Sequence, residues 1–200
     1  MKLYFCPQTR ATRPRWMLEE LGVPYELALI DVMKGEQKQE SYMKVHPLGY
    51  VPALDDGGHI FFESAAIVQY LADKYADKGF APALGSKERG EYYQWISFAM
   101  TELEPSLVTI LMQTRFLPED QRSPEAMAKA VARYKVVCAV LEERMKNREY
   151  IVGDRFSAAD IVVGAVLFFG TMLGQGKEFP ALQSYLGRVT ARPAAKKAFA

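Results

Sequence analysis

The chain contains few of the residues that build metal centres or disulfide frameworks. Its 200 residues include only two cysteines and two histidines. Cys6 and Cys138 lie far apart, and His46 and His59 belong to no HExxH or CxxC motif. We therefore expect neither a disulfide framework nor a protein metal site, and a reducing cytoplasm is the default compartment.

The chain also lacks a strong charge of either sign and a long apolar run. A formal net charge of +1 provides no general field for nucleic acid or for an anionic membrane, so neither partner is expected. The N-terminus becomes polar at Pro7 and Gln8, too soon for the apolar region of a signal peptide. The run IVVGAVLFFG, at 161–170, is about half of the roughly 20 residues that a membrane helix needs.

The first 76 residues mix strand and helix signals. Asp55-Asp56-Gly57-Gly58 separates two apolar segments and predicts a hairpin. Before the hairpin we predict a strand at 2–5, a helix from Thr12 to Gly22, a strand at 25–30 and a weak helix or loop at 34–44. After it, a helix opens at Glu63-Ser64 and runs to about residue 75. The predicted order is β-α-β-α-β-β-α.

The remainder reads as helix. The segment DKGFAPALGS, at 77–86, carries glycine and proline without periodicity and is the candidate linker. Helices are expected at about 87–116, 123–147, 157–172 and 180–198. The predicted fold class is therefore α/β plus all-α, with domains at 1–76 and 87–200.

Two dipeptides in the first domain have functional interpretations. Pro52 cannot donate to a β-ladder, so Val51-Pro52 marks either a plain strand start or a cis proline that turns the backbone of Val51 toward a peptide-like ligand. Glu63-Ser64 directly follows a strand and is either an ordinary helix cap or an amino-acid site. In the second case Ser64 and the helix N–H groups bind a carboxylate, and Glu63 accepts from an ammonium.

Two signals in the second domain are read as structural. Ser157 and Asp160 have the spacing of a capping box and begin an apolar helix. Cys138, in an apolar segment, is read as a core residue.

The stretch FCPQTRATRPRW, at 5–16, is the most ambiguous. Cys6 is either a reactive thiol or a strand-end residue without a role. Thr9 and Thr12 are read one by one as helix caps, and Arg10, Arg13 and Arg15 as a solvated face.

The order of these signals resembles the cytosolic glutathione S-transferase family. The βαβαββα unit with its Val-Pro and Glu-Ser is similar to that family's thioredoxin-like domain, while GDRFSAADI at 153–161 and the tail RVTARPAAKKAFA are similar to its helical domain. The resemblance implies an enzyme that activates glutathione as co-substrate, without a metal, for attack on small hydrophobic electrophiles. It also implies a homodimer and a helical domain that contributes the electrophile pocket, with helix 87–116 as its candidate wall.

The resemblance also implies roles for individual residues. Val51, ahead of a cis Pro52, would pair with the cysteinyl backbone of glutathione. Glu63 and Ser64 would bind the γ-glutamyl group, and Lys38 the glycyl carboxylate. The chain departs from the family where His46 precedes the Pro-Leu-Gly of this loop, a position that often holds asparagine, and where Ala65 replaces a polar residue.

The family differs internally over the group that stabilises the thiolate. Thr9 lies where serine-type members place their hydroxyl, with Arg10 as an electrostatic helper, and both are predicted catalytic residues. Tyr4 resembles the tyrosine-type placement, and Cys6 would imply mixed-disulfide chemistry instead. Two other functions stay open: a non-catalytic binding or regulatory protein, and a glutaredoxin-like oxidoreductase or peroxidase that uses Cys6.

Overall fold

A computed structural model describes all 200 residues, and the chain divides into two compact units. The first unit comprises Met1–Ala81 together with Ala191–Ala200, and the second comprises Pro82–Thr190. The break between Ala81 and Pro82 lies inside the segment 77–86. The last ten residues depart from the predicted domain at 87–200, because they pack with the N-terminal unit.

The first unit is a four-stranded mixed sheet with helices, as the fold class predicted. Its strands are β1 (Lys2–Phe5), β2 (Glu26–Leu29), β3 (Ala53–Asp56) and β4 (His59–Phe62). They lie in the order β2-β1-β3-β4, with β1 parallel to β2 and antiparallel to β3, and with β3 antiparallel to β4. The helices are α1 (Thr12–Leu21), α2 (Glu40–Met43) and α3 (Ser64–Lys74), with a 3₁₀ turn at Glu36–Lys38.

Glycines in the left-handed region set two of these boundaries. Gly22 has a φ of 65° and ends α1, where its N–H is donated to the carbonyls of Leu18 and Glu19. Gly57 and Gly58, with φ of 68° and 91°, form the two-residue turn between β3 and β4. Positive φ at both positions matches the right-handed twist of a hairpin, which explains why the sequence signal was strong there.

A short C-terminal helix, α9 (Pro193–Phe199), packs against α1. Arg192 donates to both carboxylate oxygens of Glu20 at 2.6 and 2.7 Å, and the ring of Trp16 lies edge-on to that of Phe199. The prediction of one helix over 180–198 is wrong. Pro193 forces the preceding Arg192 into an extended conformation, with ψ of 138°, and this ends the previous helix early.

The second unit is all-helical. Its helices are α4 (Lys87–Phe98), α5 (Glu104–Leu111), α6 (Pro124–Met145), α7 (Ala158–Met172) and α8 (Pro180–Thr190). The predicted helix 87–116 is helical throughout, but π-helical turns occur at Ala99–Leu103 and Met112–Phe116. The first π turn precedes Pro105, whose ring and missing N–H disturb the regular α-helical pattern.

The predicted capping box of Ser157 and Asp160 is present, and it forms a buried cluster of hydrogen bonds in this unit. Asp160 is fully buried and accepts hydrogen bonds from the N–H groups of Ile151 and Ser157 and from the hydroxyls of Ser157 and Tyr185, all at 2.8 to 3.0 Å. Burial raises the pKa of this carboxyl to about 6, although the hydrogen bonds oppose the shift. Cys138 is a buried free thiol, as expected of a core residue. None of the helices combines the length and the apolar character needed to cross a membrane.

Candidate active site

The sheet register brings three sequence-distant segments to one edge. Tyr4 at the end of β1 pairs with Ala53 at the start of β3, and Ala53 pairs with Phe62 at the end of β4. Cys6 lies two positions after Tyr4, Ser64 two positions after Phe62, and Val51 two positions before Ala53, so all three lie just beyond the ladders at this same edge. The loop after β1, the loop before β3 and the start of α3 are therefore neighbours.

Val51 presents an unpaired backbone at this edge. The Val51-Pro52 peptide bond is cis, which is the alternative that the family resemblance implied and that the dipeptide alone left open. Val51 precedes the first ladder residue of β3, and its N–H and C=O make no hydrogen bond within the chain. An open backbone donor and acceptor directly before a strand can pair with the backbone of an extended peptide.

The start of α3 is uncapped. Glu63 occupies the N-cap position, but its side chain accepts no hydrogen bond from the helix. Its backbone has a φ of 69°, a value that non-glycine residues adopt rarely and at a cost of about 1–3 kcal/mol. The side chain of Glu63 is exposed, whereas Ser64 is only 3% exposed. Free N–H groups at a helix N-terminus can donate to the carboxylate of an amino-acid group, while a neighbouring side-chain carboxylate accepts from its ammonium.

Arg13 reaches the same helix start and was missed at the level of sequence. The interpretation of Arg13 as part of a solvated face is wrong, because its side chain is 3% exposed and its Nη1 donates to Ser64 Oγ at 3.0 Å. A signal did exist, since Arg13 stands three and four residues before Trp16 and Met17 and so shares the buried face of α1.

The loop before Val51 is held by His46, Gly49 and Lys38. His46 is 2% exposed, and its Nδ1 accepts the N–H of Leu48 at 3.2 Å, which is the bond that an asparagine side chain makes in an Asx turn. Burial lowers the pKa of His46 and favours the neutral ring that can accept this bond, while the nearby Glu63 carboxylate partly opposes the shift.

Gly49 allows the loop to approach the 3₁₀ turn closely. It has a φ of 60°, and a Cβ there would overlap the carbonyl oxygen of Gln37. Lys38, at the end of that turn, donates its Nζ to the carbonyl of Leu48 at 2.8 Å and lies 4.8 Å from the ring centre of Tyr50. The side chain of Lys38 therefore contacts the loop that leads into Val51.

The loop after β1 is organised by Thr9. Its hydroxyl donates to the carbonyl of Cys6 at 2.7 Å and accepts the N–H of Ala11 at 3.2 Å. Thr12, which the sequence offered as a helix cap, is instead the first residue of α1 and is buried. Arg10 is exposed beside Thr9, and the Cys6 thiol is half-buried and free.

Tyr4 lies on the other face of the sheet from the start of α1. Its ring contacts that of Tyr42 in α2, at 5.6 Å between centres. The next residue, Phe5, points to the opposite face and contacts the guanidinium of Arg15 in α1. The predicted wall of the electrophile pocket was helix 87–116. Within that segment, Leu107 is fully buried and Phe116 is 62% exposed.

The fold is a thioredoxin-like domain with an open backbone position at Val51, followed by a helical unit. Residues 1–73 match the family model "Glutathione S-transferase, N-terminal domain", and residues 99–193 match "Glutathione S-transferase, C-terminal domain". The chain belongs to the glutathione S-transferase family.

Named relatives and solved structures of the same family are similar to this chain over most of its length. Glutathione S-transferase F10 of Arabidopsis thaliana is 36% identical over 152 residues, which is 72% of this chain and 68% of that protein. Glutathione S-transferase hmp2 of Hypomyces subiculosus is 31% identical over 203 residues, covering 96% and 94%. A sphingomonad glutathione S-transferase, solved in complex with glutathione, superposes with a TM-score of 0.86 at 32% identity, covering 100% of this chain and 97% of that one.

Proposed function

We propose that the chain binds glutathione in an extended conformation along the edge formed by Cys6, Val51 and Ser64, and stabilises its thiolate for attack on small hydrophobic electrophiles. The observation that carries this proposal is the open hydrogen-bonding capacity at that edge, in a member of the glutathione S-transferase family. The backbone of Val51 and the uncapped start of α3 stand side by side, and both lack partners within the chain.

Each part of glutathione has a chemically matched group in this proposal. The cysteinyl backbone pairs with Val51, next to Pro52. The α-carboxylate of the γ-glutamyl group accepts from Ser64 and the first N–H groups of α3, and its ammonium donates to Glu63. The glycyl carboxylate binds Lys38, whose Nζ then exchanges its bond to the carbonyl of Leu48 for one to a charged acceptor.

We assign stabilisation of the thiolate to Thr9, with Arg10 as an electrostatic helper. A free thiol has a pKa of about 8.5 and is only a few per cent ionised at neutral pH. A hydroxyl that donates to the sulfur favours the anion without itself ionising. The position of Thr9 in the loop beside Val51 supports this assignment, and the packing of Tyr4 against Tyr42 speaks against Tyr4.

The reaction is a substitution or addition at carbon. The thiol loses its proton to solvent, and the thiolate sulfur forms a bond to the electrophilic carbon. In a substitution a leaving group such as chloride departs with its electron pair, and in an addition the electron pair of the broken π bond takes up a proton from solvent. The family also supports a homodimer, a cytoplasmic location and a helical domain that contributes the electrophile pocket. These features stay predictions, as does the domain division at 76 and 87.

The experiment combines binding and turnover. We expect glutathione to bind in calorimetry, S-alkyl glutathione analogues to raise the melting temperature, and a chlorodinitrobenzene to be conjugated. Ser64→Ala should weaken glutathione binding about 10- to 150-fold, since a hydrogen bond to a charged group is worth about 1.5–3 kcal/mol and about 1.4 kcal/mol is a factor of ten. The matched control is Ser184→Ala, at an exposed position in α8, which should leave binding unchanged.

Two results would contradict the proposal. If neither glutathione nor its analogues bind, the chain is a binding or regulatory protein on this scaffold. If disulfide reduction is the main activity and is lost in Cys6→Ser but kept in Thr9→Ala, the chemistry is that of a glutaredoxin-like enzyme.

A further inference from the structure

The ring of His46 lies between two chain segments that meet at the proposed glutathione site. Its centre is 5.7 Å from the ring centre of Tyr50, in the loop that leads into Val51. It is 5.1 Å from the ring centre of Phe62, which ends β4 directly before Glu63. His46 is 2% exposed. One buried histidine therefore contacts both the loop before Val51 and the strand that leads to α3.

His46 also organises the turn that follows it. Its carbonyl accepts the N–H of Gly49 at 2.8 Å, and its Nδ1 accepts the N–H of Leu48 at 3.2 Å. The carbonyl of Leu48 in turn accepts from Lys38 Nζ at 2.8 Å. One ring nitrogen therefore holds the residue whose carbonyl contacts Lys38, three positions before Val51.

The bond from Leu48 exists only while the ring of His46 is neutral. A neutral imidazole has one nitrogen without a hydrogen, which can accept, whereas both nitrogens of the imidazolium are donors. Protonation therefore sets a ring N–H against the N–H of Leu48, and it places a charge in a buried position. The turn loses one of its two bonds to His46 when the ring is protonated.

The groups that face the ring decide when this protonation occurs. Burial lowers the pKa of His46; of the two charges near the ring, the Glu63 carboxylate raises the pKa and the Lys38 ammonium lowers it. The remaining contacts, with the ring of Tyr50 and with the backbone carbonyl of Tyr42 in α2, bring no charge to the imidazole. At neutral pH the ring is therefore an acceptor, and acid removes that acceptor.

We propose that His46 is a positioning residue for glutathione: its neutral ring holds the loop 46–51 in the geometry that presents the Val51 backbone and Lys38 to the ligand, and its protonation releases this loop. The inference rests on the proposed function. His46 does not touch the ligand in this arrangement and acts through Leu48. Because the ligand favours the neutral ring, its binding must weaken as the pH falls through the pKa of His46.

The test uses S-methylglutathione, titrated calorimetrically at pH 7 and at pH 5. This probe has no thiol, so ionisation of the cysteinyl sulfur does not contribute to the pH dependence. We expect its Kd for the wild-type chain to rise about three- to tenfold from pH 7 to pH 5, which is the range of one neutral hydrogen bond. In His46→Asn, Oδ1 takes the place of Nδ1 and accepts without titrating, so the Kd should change less than about twofold.

Two further variants separate the ring nitrogen from other effects of acid. His59→Asn is the matched control, because His59 is the other histidine of the chain and is exposed on β4. It should retain the wild-type pH dependence. His46→Phe keeps a ring between Tyr50 and Phe62 but cannot accept a hydrogen bond. We expect it to bind about three- to tenfold more weakly than the wild type at pH 7, with less than a twofold further loss at pH 5.

Proton NMR tests the same linkage without a change at position 46. The wild-type chain has two histidines, so the spectrum of His59→Asn identifies the ring signal of His46. We expect the midpoint of the His46 titration to move to lower pH when S-methylglutathione is bound, because the ligand favours the neutral ring. An unchanged midpoint would refute the inference even if the His46 variants did not fold.

The outcomes distinguish this inference from the proposed function. If neither glutathione nor S-methylglutathione binds to the wild-type chain at pH 7, the proposed function fails. If S-methylglutathione binds but His46→Asn loses affinity in acid as much as the wild type, the positioning role is refuted and the proposed function stands. Loss of the pH dependence in His59→Asn would equally overturn the inference.

Discussion

Replacing Thr9 by valine tests which group stabilises the glutathione thiolate. Valine keeps the branched shape of threonine and removes only the hydroxyl. In the structure this hydroxyl donates to the carbonyl of Cys6 at 2.7 Å. A hydroxyl has one hydrogen, so Thr9 must rotate away from that carbonyl in order to donate to a sulfur. The predicted effect is therefore the difference between two hydrogen bonds.

The magnitude follows from the kinds of acceptor. The bond to a neutral carbonyl is worth about 0.5–1.5 kcal/mol, and a bond to a charged thiolate is worth about 1.5–3 kcal/mol. The exchange gains roughly 1 kcal/mol in mid-range, and about 1.36 kcal/mol corresponds to one pKa unit. We therefore expect Thr9→Val to raise the pKa of bound glutathione by about one unit, and kcat/KM near neutral pH to fall by up to about tenfold.

The assay is the pH dependence of kcat/KM for conjugation, together with thiolate absorbance of the glutathione complex. Thr9→Ser should restore the wild-type pKa, because it returns the hydroxyl. Tyr4→Phe should leave the pKa unchanged. If Thr9→Val titrates like the wild type while Tyr4→Phe shows the raised pKa, Tyr4 is the donor and the reasoning from the loop geometry is refuted.

Two further predictions concern stability. The folded-state pKa of His46 lies below the ordinary 6.5. Its contribution to the free energy of unfolding is therefore complete above about pH 6.5 and is lost as the pH falls through the folded-state pKa. His46→Asn can keep the bond to Leu48 without titrating, and urea midpoints from pH 7 to 5 should fall less than in wild type; equal slopes would contradict the assignment. Asp160→Asn places an amide donor against existing donors and should cost about 2–4 kcal/mol in urea unfolding, against about 1–2 kcal/mol for Tyr185→Phe. A cost below about 1 kcal/mol for Asp160→Asn would show that these buried bonds are not required.

Features that depend on neighbouring residues could be predicted from the sequence. The Gly57-Gly58 turn and the Ser157–Asp160 capping box depend on glycine and on capping side chains within a few positions. Such preferences act through local sterics and short hydrogen bonds. The order of elements follows from them, and with it the family resemblance.

Features that depend on long-range packing could not be predicted in this way. Arg10, Arg13 and Arg15 look alike in the sequence, yet Arg13 alone donates to Ser64. His46 looked like a departure from the family pattern, but its ring accepts the loop N–H that an asparagine would accept.

The residue order, local turns and caps specify a thioredoxin-like unit and a helical unit, because those signals act over a few residues. The tertiary structure decided which polar groups are buried, which are already paired and which remain open to a ligand. The sheet register set Cys6, Val51 and Ser64 at one edge, and packing of α1 beside α3 placed a guanidinium behind the serine. A polar group pairs with whichever partner the fold brings close to it. Arg13 and Ser64 are 51 positions apart, so their contact depends on the tertiary structure and not on neighbouring residues.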